Sequence, residues 1–320
     1  MDAVLGIDIA KAKFAAALLR SDGKVRHKSC ANTVAGFAEL AAWMTRQQVA
    51  HVHATLEATG TYGDALATWL HDAGHVVSVV NPTIIHAYAR TQLARSKTDR
   101  LDAELIARFT ATQQPPAWTP PALEIRQLQA LVRRLDALQG MRTQELNRLA
   151  AGVTVDDVRA SIQAIIASLD AQIAHVHQLI RDHLDQYPGL RLQRDLLTTI
   201  PGIGEATAAI LIAELFDKRY SSARQAAAFA GLVPRLVESG TLRGRRRLSK
   251  IGPGRLRKAL YFPAIAALRY NPTIKAIRTR LHAAGKPPMV IIGAAMRKLI
   301  HLAYGVLKSG RAYEPKCAHP

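Results

Sequence analysis

The apolar positions of this chain change period several times, and each change marks an element. Residues 2–9 and 13–19 are short apolar runs separated by Ala10-Lys11-Ala12, and 24–30 follows the turn signal Ser21-Asp22-Gly23, so three strands in a hairpin meander are predicted. Between 34 and 47 the spacing of Phe37, Leu40, Ala41 and Met44 becomes helical. A strand at 52–57, a helix near 61–72 and a strand at 75–80 follow. Pro82 opens another helix, and Asp99 opens one more that ends near residue 112. Pro115, Pro116, Pro120 and Pro121 then interrupt any regular element. Beyond them, 123–149 carries Leu128, Leu131, Leu135, Leu138 and Leu149 at helical spacing. A second long helix is predicted over 155–186, with the joint near Gly152 and a stop at Pro188-Gly189.

The order β-β-β-α-β-α-β-α, with acids on the first strand, the fourth strand and a late helix, is that of a ribonuclease H-like core. The fold class is therefore α/β, in three expected parts. Residues 1–114 form a nuclease-type domain, 115–190 a linker and helical coiled-coil arm, and 191–320 a mainly α C-terminal domain. The paired helices read equally as a local hairpin and as an oligomerisation arm or spacer.

Four carboxylates give the first domain its chemistry. Asp8 ends the first strand in Gly6-Ile7-Asp8-Ile9-Ala10-Lys11, and Glu57 ends the fourth. Asp99 and Asp102 stand three apart in Lys97-Thr98-Asp99-Arg100-Leu101-Asp102-Ala103, which puts them on one face of a helix. Taken singly, each has an ordinary explanation. A strand-end Asp is commonly a turn residue, Asp99 can cap its helix, and Asp102 can pair with Arg100 or Lys97. Together they match what a hard divalent cation requires, oxygen ligands converging from separate elements. A site with several carboxylates can hold the attacking and leaving oxygens of a phosphoryl group. The pattern predicts phosphodiester chemistry on nucleic acid.

Charge locates the partner. Residues 1–110 carry a net of +2 and 111–190 a net of −1, whereas 191–320 hold 24 Lys+Arg against 6 Asp+Glu, a net of +18. A field concentrated in this way attracts a polyanion, DNA or RNA. Cys30 and Cys317 fit neither a zinc spacing nor a disulfide framework. Asp2 and Asp8 interrupt the apolar start, so no secretory signal is read. The longest apolar stretch, 289–307, is broken by Arg297 and Lys298, so no membrane span is expected. A soluble protein of a reducing, cytoplasmic compartment is the expectation. His51, His53, His175 and His177 lack the partners of a ligand set and read as structural.

In the basic region, Ile200-Pro201-Gly202-Ile203-Gly204 separates two helical patterns, like a helix-hairpin-helix. It is either a plain αα corner or a turn whose amides, at Gly202 and Gly204, meet a phosphate. Next come Gly231-Leu232-Val233-Pro234-Arg235 and Glu238-Ser239-Gly240-Thr241, then Arg243, Arg245, Arg246, Arg247 and Lys250. The glycines at 240, 244 and 252 suggest a mobile loop, either solvated or neutralising phosphates. Ser239 beside Gly240 reads first as a turn residue; as a nucleophile it needs an activating base or metal.

These motifs resemble the DEDD transposases of bacterial insertion sequences, the group that includes the pilin-gene invertases. The likeness lies in Gly6-Ile7-Asp8-Ile9-Ala10-Lys11-x-x-Phe14, Glu57-x-Thr59-Gly60-x-Tyr62 and Lys97-Thr98-Asp99-x-x-Asp102-Ala103. It continues in Ile200-Pro201-Gly202-Ile203-Gly204 and in Gly231-Leu232-x-Pro234-Arg235-x-x-x-Ser239-Gly240, followed by Arg243-Gly244-Arg245 and Leu248-Ser249-Lys250. It spans nearly the whole chain in order, with Leu248 where isoleucine is more usual. The resemblance implies a RuvC-like domain binding Mg²⁺ (Mn²⁺ as substitute) through Asp8, Glu57, Asp99 and Asp102. It also implies a C-terminal domain whose serine, here Ser239, forms a covalent link to DNA. Implied partners are element-end and target DNA, a structured guide RNA, and further copies as homodimer or homotetramer. Two rival readings remain. One is a Holliday-junction-type metal-dependent endonuclease with water as nucleophile; the other is an inert nucleic-acid-binding protein.

Overall fold

The computed structural model describes residues 3–58, 60–92, 98–216, 220–235, 238–239, 242–243 and 247–315. The chain divides into two compact units, Met1–Pro120 and Pro121–Pro320.

In the first unit, β1 (Ala3–Ile9), β2 (Lys13–Arg20) and β3 (Val25–Ala31) form the expected meander, followed by α1 (Val34–Arg46), β4 (His53–Glu57), α2 (Asp64–Asp72), β5 (Val76–Val80), α3 (Pro82–Thr91) and α4 (Asp99–Gln113). The sheet order is β3-β2-β1-β4-β5. The first three strands are antiparallel, while β1–β4 and β4–β5 are parallel. Alternation along the strands sends Leu5, Ile7, Ile9, Phe14, Ala16 and Leu18 to one side, where Phe37 and Leu40 of α1 and Leu66 and Leu70 of α2 complete a core. The other side takes α4, whose Ala103 and Ala107 pack on Ala17, Val4, Ala15 and Leu19. Gly6 allows that approach. A β-carbon on Gly6 would fall inside the contact radius of the Ala103 carbonyl oxygen and the Ala107 amide nitrogen.

The proline-rich segment is not a free linker in its first half. Ser78 Oγ donates to the Pro116 carbonyl at 2.8 Å and lies 2.7 Å from buried His53 Nε2, and the Trp118 amide donates to the Val77 carbonyl at 2.6 Å. Residues 115–118 thus pack along the edge of β5, within the first compact unit.

The second unit holds α5 (Leu123–Ala150), α6 (Asp156–Gln186), α7 (Pro188–Thr198), α8 (Glu205–Glu214), α9 (Ala223–Phe229), α10 (Gly254–Tyr270), α11 (Pro272–Ala283) and α12 (Pro288–Ser309). Among the described residues it also holds the two-residue strands β6 (Pro234–Arg235), β7 (Glu238–Ser239), β8 (Leu242–Arg243) and β9 (Arg247–Leu248). Leu128, Val132, Leu135 and Leu138 of α5 and Val176, Ile180 and Leu184 of α6 share one core with Leu197, Leu211, Leu260 and Leu299. The helical pair thus shares its buried face with the C-terminal helices. Among the described residues, α12 alone is long and apolar enough to cross a membrane. Its Ala295, Met296, Leu299, Ile300 and Ala303 are buried in this core, which accounts for that composition.

A charged network ties α5, α8 and α10 together. Asp136 accepts from Lys258 Nζ at 2.8 Å and from Arg255 Nε at 3.3 Å, and Arg255 Nη1 reaches Glu214 at 3.0 Å. The Lys258 hydrogen bond first, then the charges of Lys258 and Arg255, hold the Asp136 carboxyl below the usual carboxylate range, with burial opposing. A depressed folded value means that its stabilisation is complete above the unfolded value of about 4 and is lost as pH falls through the folded one. The expected result is a melting temperature whose decline below about pH 4 is shallower in Asp136→Asn than in wild type. Superimposable slopes for the two proteins would overturn this.

Candidate functional site

The first unit brings the four acids to one end of one face. Ile7 pairs with Leu56 in the parallel register, so the next residues, Asp8 and Glu57, lie side by side where β1 and β4 end. Asp8 shares the α4 face with Val4 and Gly6 by alternation, and Glu57 shares it with Thr55, the partner of Gly6. α4 crosses that face with its N-terminus at the same end. Its cap is Thr98, whose Oγ1 accepts from the Leu101 amide at 3.2 Å, so Asp99 is not a cap but the first helical residue. Asp99 and Asp102 occupy the first turn, where the helix dipole favours negative charge. No ion pair joins Asp102 to Arg100 among the described residues, and Lys97 lies outside them.

Lys13 is the component that the sequence reading did not single out. Ala17, Ala15 and Lys13 alternate onto the α4 face, and Lys13 Nζ lies 2.9 Å from Asp99 Oδ2. The Asp99 hydrogen bond and charge, with a smaller contribution from Asp8, raise the Lys13 ammonium above its ordinary value; Lys13 in turn lowers Asp99. Asn32 is a second such residue. Its Nδ2 donates to the Ala10 carbonyl at 3.1 Å and to the Tyr62 carbonyl at 3.0 Å, tying the turn after Asp8 to the loop after Glu57.

An all-carboxylate donor set suits a hard ion such as Mg²⁺. The backbone places the donors around one corner, but among the described residues no three His, Cys, Asp or Glu side chains gather closely enough to hold an ion. An ammonium group is instead paired with one of them.

In the second unit, Ser239 lies not in a loop but on a short strand. β6 pairs with β9, matching Arg235 with Arg247 and Pro234 with Leu248. Nested inside, β7 pairs with β8, matching Ser239 with Leu242 and Glu238 with Arg243. The root is fixed by Ser249 N to Val233 O at 2.8 Å and Lys250 N to Gly231 O at 3.1 Å. Arg235, Arg247 and Lys250 are exposed there. Arg245 and Arg246, with Gly240 and Gly244, lie outside the described residues. Arg255, Arg257 and Lys258 are used internally: Arg257 Nη1 donates to the carbonyls of Gly252, at 2.9 Å, and Ala230, at 3.2 Å.

The glycines of the α7–α8 turn have different surroundings. Gly202 has φ +106° and fits against α10, where a β-carbon would stand 2.7 Å from Ala267 Cβ and 2.8 Å from the Pro263 carbonyl oxygen. Close packing therefore accounts for Gly202. Gly204 opens α8 with open space about it.

An α/β unit with acids gathered at one sheet end, followed by a basic helical unit, fits an enzyme of DNA recombination, and the comparisons agree. Residues 5–155 match a family described as a transposase, of the DEDD and IS110 type, and residues 194–278 match the transposase IS116/IS110/IS902 family. The chain is 35% identical over 323 residues to the pilin gene-inverting protein of Moraxella bovis, covering 98% of both chains. Its identity to the pilin gene-inverting protein of Moraxella lacunata is 34%, again over 98% of both. A transposase for insertion sequence element IS1328 of Yersinia enterocolitica is 27% identical over 61% of this chain and 65% of its own length. The chain belongs to the IS110/IS116 family of transposases.

Proposed function

We propose that the chain cuts and rejoins DNA at the ends of an insertion sequence, with Asp8, Glu57, Asp99 and Asp102 as ligands of Mg²⁺ and Ser239 as nucleophile. The observation that carries this reading is the backbone placement of the four acids, at the adjacent ends of β1 and β4 and on the first turn of α4, around one corner of the sheet. The strand order β3-β2-β1-β4-β5, with a parallel second half, supports a RuvC-like ribonuclease H fold for the first unit. Bound by the acids, Mg²⁺ would lower the pKa of the attacking hydroxyl and offset charge on the scissile phosphate; Mn²⁺ has the same ligand preference.

The chain's own residues divide the remaining work. Ser239 Oγ forms a bond to phosphorus as the bond from phosphorus to the leaving deoxyribose oxygen breaks. The serine proton departs and the leaving oxygen takes one up. The resulting ester keeps the phosphate activated for a second strand's hydroxyl, which reverses the step. Arg235, Arg243, Arg245, Arg246, Arg247 and Lys250 neutralise phosphates near the serine, and Gly204 offers an amide to one. The charge of this unit also suits a structured guide RNA. The paired helices α5 and α6 act as an arm through which copies assemble as dimers or tetramers.

The test uses DNA flanking the chain's own gene, incubated with protein and Mg²⁺ and resolved on a denaturing gel. Wild type is expected to give a covalent protein–DNA adduct, and Ser239→Ala none. Nicking that persists in Ser239→Ala without any adduct would instead establish the water-dependent endonuclease.

A further inference from the structure

A second group of cations lies apart from the motif arginines. α9, which carries Arg224, packs on α12, which carries Arg297, Lys298 and His301. Burial first, and then the charges of Arg297, Lys298 and Arg224, push the His301 imidazole below its ordinary value, which places all three cations within electrostatic reach of it. None of the three pairs with a carboxylate among the described residues. Arg255 and Lys258 on α10 do, through Asp136 and Glu214. At the floor of the cluster His301 Nε2 is buried with no hydrogen-bond partner. Buried polar atoms are nearly always satisfied, so an orphan of this kind has capacity for one more hydrogen-bond partner. Arg297 and Lys298 are themselves half-buried, where unbalanced like charges cost stability unless an anion offsets them.

The position of the cluster adds a second observation. Gly293, Arg297 and His301 are spaced i, i+4, i+8 and lie along one face of α12. The root of the serine hairpin rests on that face: a β-carbon at Gly293 would stand 3.2 Å from Leu248 Cδ1. Leu248 is the β9 residue paired with Pro234. The same helix face thus carries the hairpin's footing, Arg297 one turn on and His301 two turns on.

We propose that Arg224, Arg297 and Lys298, set around His301, form a seat for one backbone phosphate of the DNA strand that runs beside the Ser239 hairpin. This rests on the reading of the chain as a recombinase with Ser239 as nucleophile, and it adds a positioning site outside the motif block. Guanidinium groups bind phosphate through paired N–H donors, and Lys298 adds a point charge. The uncharged imidazole contributes a hydrogen bond at the floor once the long side chains above it turn to the phosphate.

The test measures binding of the gene-flanking duplex across a range of salt, together with yield of the Ser239 adduct. Wild type, Arg224→Gln, Arg297→Gln and the double variant are compared with Arg280→Gln, an exposed cation of α11. The double variant is expected to bind about tenfold more weakly, with a salt slope lower by roughly 0.9 per lost phosphate contact. Its adduct yield falls, Arg297→Lys restores part of it, and Arg280→Gln stays close to wild type. Wild-type affinity, slope and adduct yield in the double variant would overturn the proposal. So would a loss confined to a structured RNA probe with duplex binding intact. Exposed Arg224→Gln carries the comparison alone if the double variant lacks a normal melting transition. A wild-type protein that forms no adduct sinks the serine reading, while the salt slopes still decide the phosphate seat.

Discussion

Asp8→Asn is expected to abolish strand cleavage while leaving the fold and DNA binding in place. Asp8 is half-buried at the end of a central strand, and asparagine has nearly its shape, so the packing of β1 between β2 and β4 is retained. What is lost is one of the two strand-end carboxylates, and with it a charge that a divalent ion and the transition state both need. Removing a single electrostatic contributor at a reacting phosphate costs on the order of 10²–10³ in rate, and a lost ligand also weakens metal binding. Adduct formation should therefore drop about a thousandfold. Calorimetric titration with Mn²⁺ should show weaker binding, and duplex affinity without metal should be unchanged or slightly higher because a negative charge is gone. Cleavage by Asp8→Asn within a factor of ten of wild type would sink the metal-site proposal. Lys13 makes this result informative in a second way. It already supplies a positive charge to Asp99, so the corner tolerates loss of an acid without collapse.

The first unit was legible because its elements have clean periods. β1 and β2 alternate around Leu5, Ile7, Phe14 and Leu18, and each sheet-facing helix buries a regular stripe. The positions of Asp8 and Glu57 at strand ends and of Asp99 and Asp102 at a helix start were legible for the same reason, since both can be read from spacing. The edge of the unit was not. Ser78, His53 and Trp118 hold residues 115–118 through tertiary hydrogen bonds that no local pattern announces. Asp99 opens α4 as its spacing suggests, and the neighbouring Thr98 takes the capping role. Around Ser239 the strands are two residues long, too short to show any alternation, so glycine content alone suggested a loop. Arg297 and Lys298 looked like interruptions of an apolar helix. Only the packing of α9 on α12 reveals that they gather with Arg224 beside His301.

Gly6→Ala is expected to destabilise the first unit severely and to remove activity even where the protein remains folded. The new methyl group would collide with the backbone of α4, at the Ala103 carbonyl and the Ala107 amide, rather than with a side chain able to swing aside. Overpacking of a well-filled interior typically costs 1–3 kcal/mol, and a backbone collision with no route of escape belongs at or above the top of that range, so about 3 kcal/mol or more is expected. Relief requires α4 to lift off β1 and β2, and α4 carries Asp99 and Asp102 on its first turn. A shift on the order of 1 Å between these two acids and Asp8 is enough to cost about 10²-fold in a reaction that depends on positioning. Gly204→Ala is the matched comparison. Gly204 sits in extended backbone with open space about it, so the same added methyl should cost no more than a weakened helix cap, about 1 kcal/mol. Urea denaturation of the two variants decides the matter. A Gly6→Ala protein within about 1 kcal/mol of wild type would mean that α4 is not seated on β1, and the corner that gathers the four acids would lose its physical basis.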